Sequence, residues 1–153
     1  MGKATVEDSR TVDLDYLEQQ GWLQPGLSLT LSWTRGQQPL GNIGVVVLAR
    51  CQLRLQYTVT GAVNDYVNET VTLAQDSPFG VRRFLPGVDY RRYFLCPGCD
   101  RRARQLHMPP GKTRFRCRKC HNLAYRSQME HRSIMMRYFA QDRETGRRRP
   151  RLR

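Results

Sequence analysis

A chain of 153 residues, 39% hydrophobic and 25% charged, has room for one domain or two small ones and enough apolar side chains for a modest core. These proportions exclude wholesale disorder, and no apolar run approaches the roughly 20 residues of a membrane helix. The formal net charge is +13, which points to a polyanionic partner, and all the basic residues except Lys3, Lys112 and Lys119 are arginine.

The opening residues, Met1 to Asp8, are polar and acidic and lack the apolar stretch of a signal peptide. The expected setting is therefore cytoplasmic, where thiols stay reduced and cysteines more often bind metal than pair as disulfides. Residues 11–20 predict a short helix, with Thr11 as N-cap, Asp13 and Asp15 near its positive end and Gly21 closing it. Leu14 and Leu17 fall on one face of it.

Strands follow. In 27–34, Leu27, Leu29, Leu31 and Trp33 alternate with polar residues, and in 53–60 Leu53, Leu55, Tyr57 and Val59 do the same. Alternation of this kind marks strands with one buried and one wet face. Between them Ile43–Ala49 is continuously apolar, as a more central strand would be. A fourth run spans 66–74, and turn signals at Gly36, Pro39, Gly41-Asn42, Gly61 and Asn64-Asp65 separate the runs. The pattern predicts an antiparallel meander. Cys51, at a strand entry with no partner nearby, reads as a small buried hydrophobe.

Past Pro86-Gly87 the composition changes to Arg, Cys and Tyr. Residues 1–80 carry five basic residues against eight acids, whereas residues 81–153 carry 21 against five. A GC-rich genome would favour arginine over lysine, but it does not explain why the first half is spared.

Cys96-Pro97-Gly98-Cys99 and Cys117-Arg118-Lys119-Cys120 form C-x2-C-x17-C-x2-C. Each C-x2-C turn sets two thiolates on one side of a tight knuckle, and two facing knuckles complete a tetrahedron around a single structural Zn²⁺. The intervening residues read as a hairpin, out over 102–108, turning at Pro109-Pro110-Gly111-Lys112 and returning over 113–116. This is the pattern of a zinc ribbon. Disulfides would need export, and a thioredoxin-like pair would need a single motif near a β-α-β unit. Cys117-Arg118-Lys119-Cys120-His121 also matches a haem-attachment motif, which leaves Cys96 and Cys99 unexplained. His107 and His121 are alternative ligands in principle, but four thiolates already close the site.

A closed site leaves no position for catalytic water. The chain also lacks a P-loop, a dinucleotide fingerprint and a G-x-S-x-G elbow, so no enzyme is expected. Around the knuckles lie Arg101, Arg102, Arg104, Lys112, Arg114, Arg116, Arg118, Lys119 and Arg126, the candidate nucleic-acid contacts. Strand alternation puts Arg114, Arg116 and Arg118 on one face. Phe115 and Tyr125, interleaved with them, read as the ribbon's small core. Ser127-Gln128-Met129-Glu130 is a capping box that starts a helix near 128, with Ile134, Met135, Tyr138 and Phe139 as its apolar strip.

The whole predicts an α+β protein, mostly β. An N-terminal helix and an antiparallel β-sandwich or small barrel occupy 1–80, and a linker spans 81–91. A four-cysteine zinc ribbon covers 92–126, a C-terminal helix 127–141 and a basic disordered tail 142–153. The expected role is that of a nucleic-acid-binding accessory or regulatory protein without membrane attachment. The alternative is a module that docks on a bacterial nucleoprotein complex, such as RNA polymerase or a defence system.

Five stretches carry a resemblance: Gly21–Gly26, Leu31–Gly36, Phe79-Gly80, Phe94–Arg102 and Cys117–Gln128. In them the chain resembles a group of small zinc-ribbon proteins, without an assigned activity, carried on bacterial phages and integrative mobile elements. The resemblance covers roughly residues 12–130 and is most specific in the cysteine segments. Asp100 stands where such ribbons usually carry Gly, and 82–90 is longer than the usual link. The resemblance implies a mobile-element origin and a zinc ribbon, and no particular activity.

Overall fold

A computed structural model describes residues 3–60, 64–76 and 91–134. The elements run β1 (Arg10–Asp13), α1 (Leu14–Gln19), β2 (Ser28–Arg35), β3 (Gln38–Ala49), β4 (Gln52–Val59), β5 (Asp65–Asp76), β6 (Arg91–Leu95), β7 (Arg102–Ala103) and β8 (Gln105–Met108). A second helix, α2, covers 126–134 of the described residues. The expected helices and antiparallel strands are thus present, in a mostly β fold. The predicted linker lies almost wholly outside the described residues, as do Met135, Tyr138, Phe139 and the tail.

The meander forms as the alternation predicts. Strands β2 to β7 make one curled antiparallel sheet in sequence order. Val45, Val47, Leu53, Leu55, Val67 and Val71, on the inner face, are each no more than 1% exposed. The sheet does not stop at residue 80. β6 pairs with β5 in the register Leu73↔Phe94, and β7 pairs with β6 in the register Leu95↔Arg102. The first cysteine knuckle therefore grows directly out of the sheet.

The start of the first helix differs. Residues 10–13 are strand, not helix, because they pair with β8 from Arg10↔Met108 to Asp13↔Gln105. The helix is thereby shortened to Leu14–Gln19, and its N-cap is Asp13, whose Oδ1 accepts the Asp15 N–H at 2.8 Å. Gly21, at φ +68°, ends it as expected. Gly21 N–H reaches the Glu18 carbonyl and Trp22 N–H the Leu17 carbonyl, the two bonds of a Schellman cap.

The β1–β8 pair and α1 share one core with the sheet. Val12, Leu14, Leu17 and Leu106 are fully buried, and the Trp33 indole N–H donates to the Thr11 carbonyl at 3.1 Å. Phe115 is also fully buried, 5.9 Å from Trp33 and edge-on to Tyr57 at 5.4 Å. Its burial contributes about 1.5–3 kcal/mol and fastens the chain between the knuckles to the sheet. The β core is thus not confined to residues 1–80, because Leu106, Met108 and Phe115 belong to it.

Cys51 is exposed, not buried. A register shift between Val47 and Ala49 leaves Arg50 and Cys51 as the hairpin turn, where the Cys51 carbonyl accepts the Leu73 N–H. The α2 helix starts at 126 rather than near 128, because its cap comes from elsewhere in the chain. The Glu7 carboxylate accepts the Arg126 N–H at 3.1 Å, a favourable place for negative charge.

Candidate metal centre and its basic flank

The first knuckle begins where β6 ends. The Cys99 and Asp100 N–H groups both turn back to the Cys96 carbonyl, and the Gly98 N–H points at Cys96 Sγ at 3.5 Å. Asp100 takes φ +55° here. A left-handed residue suits glycine, and aspartate is among the few side chains that tolerate it. The second knuckle closes in the same manner. Asn122 lies at φ +51°, its N–H bonded to the Lys119 carbonyl, and the Leu123 N–H reaches the Arg118 carbonyl.

The two knuckles face each other. Cys96 Sγ lies 3.7 Å from Cys120 Sγ, and Cys99 Sγ 3.6 Å from Cys117 Sγ. All four sulfurs fall within 4.8 Å of one another. A tetrahedral ion about 2.3 Å from each sulfur requires sulfur–sulfur edges of about 3.8 Å. The donor set therefore fits one thiolate-bound cation. Cys96 and Cys117 are buried, and Cys99 and Cys120 are exposed.

The electrostatics agree. The Arg101 backbone N–H, then the neighbouring cysteines, bring the Cys99 thiol down to about 7. Burial, then the crowding of the other sulfurs, pushes Cys120 strongly up, and burial also raises Cys117. Four sulfurs this close cannot all ionise unless a cation balances them.

Gly98 is where the knuckle meets the sheet. A Cβ there would sit 2.7 Å from Arg116 Cδ and 3.4 Å from Cys120 Sγ. Arg116 passes across it to Glu69 on β5, with Nη1 2.9 Å from both carboxylate oxygens. Arg116 and Glu69 side chains are only 21% and 17% exposed. The predicted hairpin between the knuckles is largely replaced. Its outgoing leg divides into β7 and β8, and its return meets β8 only at Arg116↔His107. That bridge lies on the edge of β8 opposite β1, with His107 between Thr11 and Arg116.

The predicted nucleic-acid residues divide into groups. Arg104 is held by Asp15 and Glu18 of α1, reaches the Arg92 carbonyl and lies over the Tyr93 ring. Arg116 is committed to Glu69. Arg126 bonds Asp8 at 3.2 Å. Lys112 and Arg114 are exposed and do not line the cleft beside Cys117. Arg101, Arg102, Arg118 and Lys119 converge with Arg104 on a cleft of about 290 Å³ beside Cys117. Arg114, Arg116 and Arg118 therefore do not act as one face. Tyr125 is not part of a small core. It is 40% exposed, walls the cleft, and carries the Arg118 guanidinium 4.9 Å above its ring.

Neither histidine joins the cysteines. His107 is 2% exposed, with Nδ1 3.0 Å from Thr11 Oγ1, and burial lowers its pKa to about 4. His121 Nε2 donates to the Arg114 carbonyl at 3.0 Å. Glu69 and Gly98, which seat the second knuckle on the sheet, carry no signal in the sequence. Their partners lie 47 and 18 residues away along the chain.

Among the described residues no helix is long and apolar enough to cross a membrane. Compared with protein-family models, curated proteins and solved structures, the chain matches none.

Proposed function

We propose that the four cysteines hold one structural Zn²⁺ in a ribbon-like module, and that the chain is a non-enzymatic nucleic-acid-binding accessory protein. Zinc suits a closed, all-thiolate tetrahedral set in a reducing compartment, and such a site leaves no coordination position for chemistry. When bound, the ion neutralises the thiolates and locks the two knuckles together. The cytoplasmic setting is proposed because an all-thiolate site needs its cysteines reduced. The mobile-element origin rests on the resemblance in the cysteine segments.

One observation carries the binding role. The cleft beside Cys117 is lined by Arg101, Arg102, Arg118 and Lys119, besides the Arg104 that Asp15 and Glu18 hold. Arg101 and Arg102 follow the first knuckle directly, and Arg118 and Lys119 lie inside the second, so the metal sets their spacing. Cations held on a rigid frame neutralise phosphates and release counterions.

The test is binding of the zinc-loaded chain to nucleic acid at rising salt. Log K should fall linearly with log salt, and removal of zinc by a chelator should weaken binding at every salt concentration. Binding unaffected by chelation would mean that the knuckles do not organise the site.

A second reading, docking on a bacterial nucleoprotein complex, draws on a different feature. Among the described residues β2 is the outer strand of the sheet, paired with β3 alone, and Tyr66 on β5 is 61% exposed. A stoichiometric protein partner that survives nuclease treatment in affinity purification would favour this reading.

A further inference from the structure

The basic cleft contains more than charge. Its wall is Tyr125, and a phosphate backbone alone has no use for an aromatic surface. Tyr125 is 40% exposed, although it sits between the buried Ala124 and the first turn of α2. Its carbonyl accepts the Gln128 and Met129 N–H groups, so its backbone is fixed while its ring projects. The Arg118 guanidinium lies 4.9 Å from the ring centroid. This contact lays a planar cation over one ring face, and the pair offers a stacking surface within the cleft.

The dimensions select among nucleic acids. A space of about 290 Å³ is on the scale of one nucleotide, at the small end of ligand sites. A duplex keeps its bases stacked on each other and would offer Tyr125 base edges, sugar and phosphate but no base face. A single strand can turn a base into the cleft, stack it on the ring and lay its flanking phosphates on cations. Those cations are at hand on both sides, with Arg101 after the first knuckle and Lys119 within the second, both exposed.

We propose that this cleft binds single-stranded nucleic acid, with one unpaired base stacked against the Arg118–Tyr125 pair and the adjoining phosphates held by Arg101 and Lys119. This inference rests on the nucleic-acid reading given above and narrows it. Base identity is not selected by stacking, because every base has an aromatic face. Oligo(dT) and oligo(U) should therefore both bind, and the ratio between them separates a DNA from an RNA role.

The experiment measures the affinity of the zinc-loaded full chain for oligo(dT), oligo(U) and a mixed-sequence duplex, each about 12 nucleotides or base pairs long. The parent chain should bind one or both single strands at least about tenfold more tightly than the duplex, and Tyr125→Ala should weaken single-strand binding about 5- to 100-fold. Tyr125→Phe should restore it, and duplex binding should change little in either variant. Zinc content and circular dichroism verify that Tyr125→Ala folds. If Tyr125→Ala fails to fold, Tyr125→Leu with the Phe variant as its reference makes the same comparison. Duplex binding equal to single-strand binding, or insensitivity of both to Tyr125→Ala, overturns the stacking site while leaving the phosphate reading standing. Absence of binding to all three probes overturns both.

Discussion

Arg116 separates a structural arginine from a binding one, and its replacement by alanine tests the distinction. In the fold its Nη1 donates to both Glu69 carboxylate oxygens and, at 2.8 Å, to the Phe115 carbonyl. Hydrogen bonds to charged groups contribute about 1.5–3 kcal/mol, and Glu69, only 17% exposed, would be left without its cation. The loss falls short of the 3–5 kcal/mol of a fully buried pair because both side chains keep some contact with water. Arg116→Ala should therefore cost about 2–3 kcal/mol, and Tm should fall by roughly 5–10 °C. Glu69→Gln should cost somewhat less, and the two together less than their sum, with a coupling of about 1–2 kcal/mol. Thermal unfolding of the zinc-loaded parent, both single variants and the double variant gives the cycle. Below the unfolding transition, the salt slope of nucleic-acid binding should be unchanged in Arg116→Ala, whereas Lys119→Ala should reduce it by about 1. Full stability of Arg116→Ala with a flattened salt slope would refute the assignment and make Arg116 a phosphate contact.

Other substitutions probe the same frame. Cys117→Ser should abolish stoichiometric zinc binding and expose Phe115, read by elemental analysis and near-ultraviolet circular dichroism, whereas Cys51→Ser in the exposed turn should leave both unchanged. Gly98→Ala places a methyl group 2.7 Å from Arg116 Cδ, so it should lower Tm and lose most of the Arg116–Glu69 coupling when the cycle is repeated in that background. His107 is held neutral, with a folded pKa of about 4 against 6.5 unfolded, by burial first, then by repulsion from His121 when that ring is protonated and from Arg118, with Asp13 opposing them. Between these values the unfolded chain binds more protons than the folded one. Stability should therefore be full above pH 6.5 and fall as the pH drops towards 4, with a slope approaching ~1.4 kcal/mol per unit. His107→Asn should show a shallower slope in denaturant unfolding across that window.

The legible parts of this fold are those written in local pattern. Alternation places Leu53, Leu55 and Tyr57 on a buried face wherever the strand ends up, so β2 to β5 emerge from sequence order alone. The cysteines are legible because ligand spacing is a property of two tight turns, and those turns are local. What cannot be read is pairing between distant segments. Thr11 looks like a helix cap until β8 claims it as a strand residue opposite His107. Capping-box chemistry at Ser127 yields to Glu7, which no local rule places near Arg126. The arginines are the clearest case. Arg104, Arg116 and Lys119 are equivalent as charges in the sequence. They become different once α1 supplies Asp15 and Glu18 to the first, β5 supplies Glu69 to the second, and the third has its place in the open cleft. The same holds for Phe115 and Tyr125, two aromatics in a basic segment. One is fully buried against Trp33 and Tyr57, and the other is left facing solvent beneath Arg118.

Everything proposed for the binding face depends on the two knuckles being locked by one thiolate-bound ion. X-ray absorption at the zinc edge, on purified chain with its metal content measured alongside, tests that dependence most directly. One zinc per chain with four sulfur neighbours at about 2.3 Å is expected. A first shell containing nitrogen or oxygen donors, a different metal, or a folded chain without stoichiometric metal would contradict it.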